Sequence, residues 1–392
     1  MQNAERGVRN ERPLAVHSAL RICFHPVYPV HPCLNILLFE PLPDGESHPC
    51  SGLRRDFPLS LRKMDSRLWY MNADFETELA HEAGTYRRLP PMEALNHRLA
   101  PHLLWLARPG DALLLSEPWP EPLRCEAQRR GVELVAPERP TPQFARLFTP
   151  WGWTPSAVAV GEQAGARVQP IPIATVACVN SKLWSHALEV ELGIALPGAT
   201  TAATFEELAE AVARACPKAS DKWVVKSPFG FAARERVLGR GPHLEEPQAR
   251  WSRRLFNKGE TLIFQPWLEV VREYGIVAEI SADGALEIQG ISDLQTNGAG
   301  TGRGYILGRP PAPQRASELE SIARTVCQRL FKEGYYGPVG IDALEHKGGL
   351  HPLLEINARY TMGFVALAVE RSLQPSAPIF WSTQQALTTT ES

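Results

Sequence analysis

The stretch YYGPVGIDALEHKGGLHPLLEIN, residues 335 to 357, constrains the fold more than any other part of the chain. VGIDAL and LLEIN alternate in the manner of half-buried strands, and the glycines between them suit a two-residue primed turn, so the stretch predicts a β-hairpin. With Gly348 and Gly349 as the turn, Lys347 stands opposite Leu350, Ile341 opposite Ile356, and Asp342 opposite Glu355. The two carboxylates are then cross-strand neighbours on one face, their Cβ atoms about 5 Å apart, and Asn357 joins them. Val339, Ile341, Leu354 and Ile356 take the opposite face. At an effective dielectric near 20 the two charges repel by roughly 3 kcal/mol, which is large beside the marginal stability of a domain. A shared proton, a neighbouring Lys or Arg, or a divalent cation would relieve the repulsion. Two carboxylates and an amide carbonyl suit a hard cation best, with Mg2+ the first candidate. The plainer alternative is a solvent-facing pair in a slightly different register.

The rest of the chain narrows the choice. Its 392 residues, 44% hydrophobic and 21% charged, are enough for roughly two or three globular domains with real cores. A formal net charge of -2 supplies no basic field for nucleic acid or an anionic membrane, so neither is expected as a partner. The seven cysteines fall without C-x-x-C spacing, and their odd number argues against a disulfide framework; a reducing cytoplasm fits. No run approaches the ~20 apolar residues of a membrane span, and no signal peptide is read. Residues 1–63 mix Pro, His, Arg and Cys without periodicity, and are expected to be a disordered extension or the product of a mis-assigned start, with Met64 the true initiator.

From Arg67 the pattern runs strand (RLWYMN), helix, strand (DALLLSE), helix, strand (VELVAP), which predicts a small parallel sheet with helices packed on it. A Pro- and Trp-rich boundary region with its own short helix follows, and a new unit begins near Val176. There NSKLWSHALEVELGI predicts a helix starting at Asn180 or Ser181 and ending at Gly193. TFEELAEAVARAC predicts an amphipathic helix with a capping box of Thr204 and Glu207. In the strand KWVVKSP, Val224 and Lys226 share one face while Trp223 and Val225 take the other. A hairpin turning at Asp283-Gly284 and a helix over ASELESIARTVCQRLFKEG lead to the carboxylate hairpin.

Two lysines precede that hairpin in places suited to a triphosphate: Lys182 in the first turn of a helix, and Lys226 at the end of an apolar strand. Each has the alternative of a solvated surface residue. The loop SPFGFAARER after Lys226 offers backbone N–H groups to phosphates, although it is poor in glycine. In LIFQPWLEVVREYG an apolar strand meets Pro266, Trp267 and Leu268; a purine fits there, with Glu273 accepting from ribose hydroxyls, and the alternative is plain core. NGAGTGRG, residues 297 to 304, matches neither a dinucleotide fingerprint nor a P-loop. It reads as a glycine-rich lid with Arg303 delivering charge, or as a surface loop. Candidate Cys and Ser nucleophiles lack a His and acid in context, and the histidines show no metal spacing.

Taken in order, Lys182, WVVKSP, LIFQPWLE…E, GPVGIDAL and PLLEINARYTMG resemble the ATP-grasp ligases over roughly residues 176 to 370. The ending LEINARYTMG and the preceding βαβαβ region look most like the branch with a pre-ATP-grasp domain. The resemblance implies an α/β N-terminal domain followed by an α+β fold of two lobes with ATP held between them. Residues 64–175 would form the first domain with its linker, 176–264 the first lobe, 265–375 the second lobe with the metal site, and 376–392 a C-terminal tail. It further implies that Lys182 and Lys226 contact ATP phosphates, that Gln265 and Leu268 sit at the adenine hinge, and that Glu273 holds ribose. Asp342, Glu355 and Asn357 match the Mg2+ ligands, and Arg359 matches an arginine that faces the reacting phosphate, with Lys226 beside it; Arg303, from the lid reading, joins them as a catalytic candidate.

The implied activity is an ATP-dependent carboxylate–amine or carboxylate–thiol ligase working through an acyl phosphate. Its partners would be a small-molecule carboxylate and an amine or thiol acceptor, an amino acid, peptide or carrier protein among them. The alternatives are a retired ATP-binding module and a carboxylate kinase. The sequence departs from the family pattern at the glycine-poor loop, where Arg234 takes the arginine position, and at Gln265, which stands where glutamate is common. It departs again at Pro352, which removes a ladder donor from the second hairpin strand and requires an edge or a bulge there.

Overall fold

The computed structural model describes residues 65–139, 145–230 and 235–383, and the backbone alone of 385–389. The expectations for residues 1–63, Met64 and Arg234 fall outside the described residues.

A parallel sheet in the order β3-β2-β1-β4 comes first, from β1 (Arg67–Tyr70), β2 (Ala112–Leu114), β3 (Glu133–Val135) and β4 (Leu147–Pro150). Its strands read as short apolar runs because both faces are covered. With it go α1 (Phe75–Leu79), α2 (Pro90–Leu99), α3 (Glu121–Arg129) and α4 (Pro155–Gln163). Leu68, Leu114, Val135, Phe148 and Ala157 form its core. The fourth strand was not expected: Pro-rich sequence on both sides hides the short run LFTP, which pairs with β1.

Two helices follow, α5 (Ile173–Asn180) and α6 (Lys182–Glu191). Ser181 caps the second, its Oγ accepting from the Leu183 N–H at 3.3 Å, and Gly193 at φ +69° ends it.

The second sheet is antiparallel, in the order β5-β8-β6-β7, from β5 (Thr200–Ala202), β6 (Lys222–Lys226), β7 (Arg236–Arg240) and β8 (Leu262–Pro266). Helices α7 (Phe205–Ala215) and α8 (Glu246–Phe256) cover one face. Thr204 caps α7, its Oγ1 accepting from the Glu207 N–H at 3.2 Å, while Glu207 reaches back to the Ala203 N–H at 2.7 Å. Trp223, Val225 and Phe264 pack on these helices through Leu208, Val212 and Leu255, which leaves Lys226 on the uncovered face, as the alternation requires.

The third sheet is also antiparallel and has seven strands in the order β13-β12-β9-β10-β11-β14-β15. They are β9 (Val270–Ile280), β10 (Leu286–Thr296), β11 (Gly302–Leu307), β12 (Gly337–His346), β13 (Gly349–Asn357), β14 (Ile379–Ser382) and β15 (Gln385–Thr389). Helices α9 (Pro313–Lys332) and α10 (Met362–Leu373) accompany this sheet. Leu319, Ala323, Val326 and Leu330 of α9 meet Ile276, Val339, Ile341 and Ile356 of the sheet in one apolar layer. Within the span expected as a C-terminal tail, β14 pairs with β11 and β15 pairs with β14, extending the sheet.

The hairpin of β12 and β13 sets Asp342 opposite Glu355 and Ile341 opposite Ile356, as expected, but the turn is elsewhere. His346 pairs with Gly349 and Glu345 with Leu350, so Lys347 and Gly348 make the turn and Lys347 does not face Leu350. Between the Leu344–His351 and Asp342–Glu355 pairs, β13 carries three residues against one on β12. This bulge contains Pro352, on an edge strand, which answers both conditions that proline imposes. It also turns Leu353 into the core and leaves Leu354 facing the cleft, correcting the face assigned to Leu354. Among the described residues no helix is long and apolar enough to cross a membrane.

Candidate active site

A cavity of about 270 Å³ opens between the uncovered face of the second sheet, the start of α6 and the third sheet. Its walls carry opposite charges. Lys182, Lys226, Arg236 and Arg359 supply cations, and Glu76, Glu235, Glu273, Asp342 and Glu355 supply carboxylates.

Lys182 is set by the capped start of α6, where its N–H donates to the Pro228 carbonyl at 2.9 Å and its Nζ to the Gly230 carbonyl at 3.2 Å. The same Nζ lies 2.8 Å from Glu355 Oε1 and 3.6 Å from Glu76 Oε2. Burial would lower this ammonium, but Glu355 and Glu76 hold it above the usual lysine range. Lys226 differs. No carboxylate lies within ion-pair distance among the described residues, and burial draws its pKa down, with Lys182 adding to the effect against the pull of Glu355. Arg236 stands directly opposite Lys226 in the ladder of β6 and β7, so two cations leave neighbouring strands toward the cleft.

Across the cleft, burial and the Glu355 charge push Asp342 up to about 7, against the pull of Arg359. Glu355 is also buried, yet Lys182 and Lys226 hold it below the usual carboxylate range. Asn357 donates from Nδ2 to Asp342 Oδ2 at 3.2 Å, and its Oδ1 accepts from Arg359 Nη2 at 2.8 Å. The donor set of two carboxylates and an amide oxygen on one face fits a hard dication; for its oxygen to serve beside Asp342 the Asn357 amide must turn over. Among the described residues no cluster of three or more His, Cys, Asp or Glu is arranged to hold a metal. Glu273 lines the same cavity and accepts from Thr296 Oγ1 at 2.6 Å, while burial raises its pKa.

Seven of the expected residues therefore line one cleft: Lys182, Lys226, Glu273, Asp342, Glu355, Asn357 and Arg359. Three do not. Gln265 is 3% exposed on β8, paired with Val224, and neither it nor Leu268 is among the lining residues. Arg303 is exposed and also outside the lining, because β11 already begins at Gly302 and carries it along the strand. The segment read as a lid or a surface loop is a short β10–β11 connection, in which Asn297 Oδ1 accepts from the Ala299 and Thr301 N–H groups at 3.0 Å and Arg236 donates to the Ala299 carbonyl. Of that connection and the start of β11, Gly300 and Gly302 reach the cavity.

Glu76 is the residue that sequence reasoning missed. It sits on the five-residue helix α1, and its Oε1 accepts from Arg359 Nη2 at 2.6 Å. A helix this short leaves no periodic trace, and the contact spans 283 positions of sequence. Arg236 did have a signal, since an antiparallel partner for KWVVK puts a cation opposite Lys226.

No family model matches the sequence, and no curated protein does. Among solved structures the chain is similar to N5-carboxyaminoimidazole ribonucleotide synthetase from Thermus thermophilus, at 19% identity over 67% of this chain and 70% of that one, with a TM-score of 0.45. It is similar to the D-cycloserine synthetase DcsG at 16% identity over 79% and 99%, TM-score 0.45. It is also similar to D-alanyl-alanine synthetase A from Vibrio cholerae at 12% identity over 68% and 93%, TM-score 0.46. At these identities and scores the likeness assigns no role to any residue. Two antiparallel sheets border one cleft, and most of the residues that the sequence motifs single out line it.

Proposed function

We propose that the cleft binds ATP with Mg2+ and that the chain is an ATP-dependent ligase, activating a small-molecule carboxylate as an acyl phosphate that an amine or thiol then attacks. One observation carries this reading: Lys182, Lys226, Arg236 and Arg359 face the same cavity as the Asp342–Glu355 pair and Asn357. Cations alone would suit many anions. Cations set against paired carboxylates suit an anion that brings its own dication, as a nucleoside triphosphate does.

In this reading Asp342, Glu355 and Asn357 hold Mg2+, which neutralises charge on the terminal phosphates when bound. Lys226, with no carboxylate within ion-pair distance among the described residues, and Arg236 opposite it point the nucleotide's charged tail into the cleft, and Glu273 accepts from a ribose hydroxyl. Arg359 donates from Nη1 to the Tyr360 carbonyl at 3.1 Å, a contact that does not depend on which way the Asn357 amide faces, so its guanidinium is oriented before substrate arrives. It faces the oxygens that gain charge as the substrate carboxylate attacks the γ-phosphorus. ADP leaves, the acyl phosphate remains in a cleft of limited water access, and the acceptor expels phosphate.

The test is an ATP- and Mg2+-dependent hydroxamate assay with hydroxylamine across amino acids and other carboxylic acids. Hydroxamate with one ADP per trap, and no free acyl phosphate accumulating when hydroxylamine is left out, supports the ligase. Tight ATP binding with no ADP under any acid would instead identify a binding module, and ADP with free acyl phosphate a carboxylate kinase.

A further inference from the structure

Glu76 stands apart among the cleft carboxylates. Its side chain is 4% exposed, and three donors from three separate parts of the chain converge on it. Arg359 Nη2 donates to Oε1 at 2.6 Å, the Gly230 N–H donates to Oε2 at 3.3 Å, and Lys182 Nζ lies 3.6 Å from Oε2. An ammonium, a guanidinium and a loop N–H are the donor types that hold a phosphate oxygen. Lys182 and Arg359 are also two of the cations the nucleotide reading needs, and the Gly230 N–H belongs to the loop after β6 expected to cover phosphates. A carboxylate brought by α1, from the parallel-sheet region, thus engages donors from α6, from the loop after β6 and from the stretch after β13.

We infer that Glu76 is an internal stand-in for a phosphate, closing on Lys182, Arg359 and Gly230 in the nucleotide-free protein and giving them up when a nucleoside triphosphate is seated. This rests on the nucleotide reading above. Two lines support displacement over permanent scaffolding. The contact is saturated: the Gly230 N–H and an Arg359 Nη2 hydrogen cannot serve Glu76 and a phosphate oxygen at full strength together. The neighbouring Lys226 has no carboxylate within ion-pair distance among the described residues, so the cleft keeps a cation open for first capture while Glu76 holds Lys182 and Arg359. The exchange of one anion for another keeps Lys182, Arg359 and the Gly230 N–H partnered throughout.

The sign of one measurement separates the roles open to Glu76. Glu76→Gln keeps the shape and an accepting oxygen but removes the competing charge. Titration calorimetry of the full chain with the β,γ-imido analogue of ATP and Mg2+ is expected to give a Kd about tenfold lower for Glu76→Gln than for wild type, with Glu76→Asp moving the same way to a smaller extent. A Kd raised in both variants would make Glu76 a permanent strut for Lys182 and Arg359, and an unchanged Kd would leave it no part in nucleotide binding; either overturns the inference and leaves the ATP reading standing. Absence of binding by wild type and both variants would overturn the ATP reading and this inference with it. Should Glu76→Gln fail to fold, Glu76→Asp alone decides the sign.

Discussion

Asp342 stands opposite Glu355 in the ladder of β12 and β13, but the two carboxylates are not equally attended: Lys182 Nζ is 2.8 Å from Glu355 Oε1, whereas Asp342 receives the Asn357 amide at 3.2 Å. Burial and the Glu355 charge raise Asp342 from 3.8 to about 7. Folding therefore favours its protonated form, and the associated stability is present below about pH 4 and is lost as the pH rises through about 7. Metal-free Asp342→Asn protein is expected to exceed wild type in unfolding free energy at pH 8 by about 2 kcal/mol, the gap closing toward pH 4. Urea unfolding in chelator at the two pH values checks this. A variant less stable than wild type at pH 8 would mean that Asp342 already has a compensating partner.

The two lysines predict opposite stability effects. Lys182→Met strips the ammonium from Glu355 and Glu76 together and is expected to lower unfolding free energy by about 3 kcal/mol. Lys226→Met removes a buried cation whose pKa burial already depresses, and is expected to leave stability unchanged or slightly higher. Both should weaken nucleotide binding at least tenfold, so thermal unfolding beside a nucleotide titration tells stability apart from affinity.

What the sequence made legible follows from how local each signal is. Alternation placed Lys226 on the uncovered face of β6, and capping residues bounded α6 and α7 within a residue or so. The Asp342–Glu355 pair was read through a turn at Gly348-Gly349 that the hairpin does not use. The true turn and the bulge at Pro352 shift the register in opposite directions, so the pair survives while Leu354 changes face. Gln265 is placed by motif likeness, which carries chain order but not the direction a strand presents, and Leu268 and Arg303 by an apolar run and a glycine-rich loop, which do not carry it either; none of the three lines the cavity. Glu76 was invisible because its partners on α6 and after β13 are joined to it only by tertiary packing.

Beyond the cleft, His351 is 2% exposed, its Nε2 makes no hydrogen bond, and burial lowers its pKa to about 4. Glu189, 4.0 Å away, gives little relief, since burial pushes that carboxylate up. The neutral form of His351 is the one the fold accepts, so its stability contribution is present above about pH 6.5 and is lost as the pH falls toward 4. Between pH 7 and 4.5 wild type is expected to lose about 2 kcal/mol more than His351→Leu. Equal losses in denaturant unfolding would remove His351 as an acid-sensitive element.

Gly340 lines the cavity where β12 meets Thr361, and a Cβ there would come 2.5 Å from Thr361 Cγ2. Gly340→Ala is expected to destabilise by about 2 kcal/mol. Thr361→Ser deletes the obstructing methyl, so the double variant should regain more than half of that loss, and a double-mutant cycle in urea measures the coupling.

The unequal count of residues in β13 also bears on how the hairpin tolerates change. In an uninterrupted ribbon, any lengthening at the tip is transmitted rung by rung to the far end. Here slack at residues 352–354 lies between the tip and the Asp342–Glu355 rung, acting as a mechanical isolator. The tip, where Lys347 leans out to Glu269, is thereby free to be exchanged or resized while the oxygen donors keep their station.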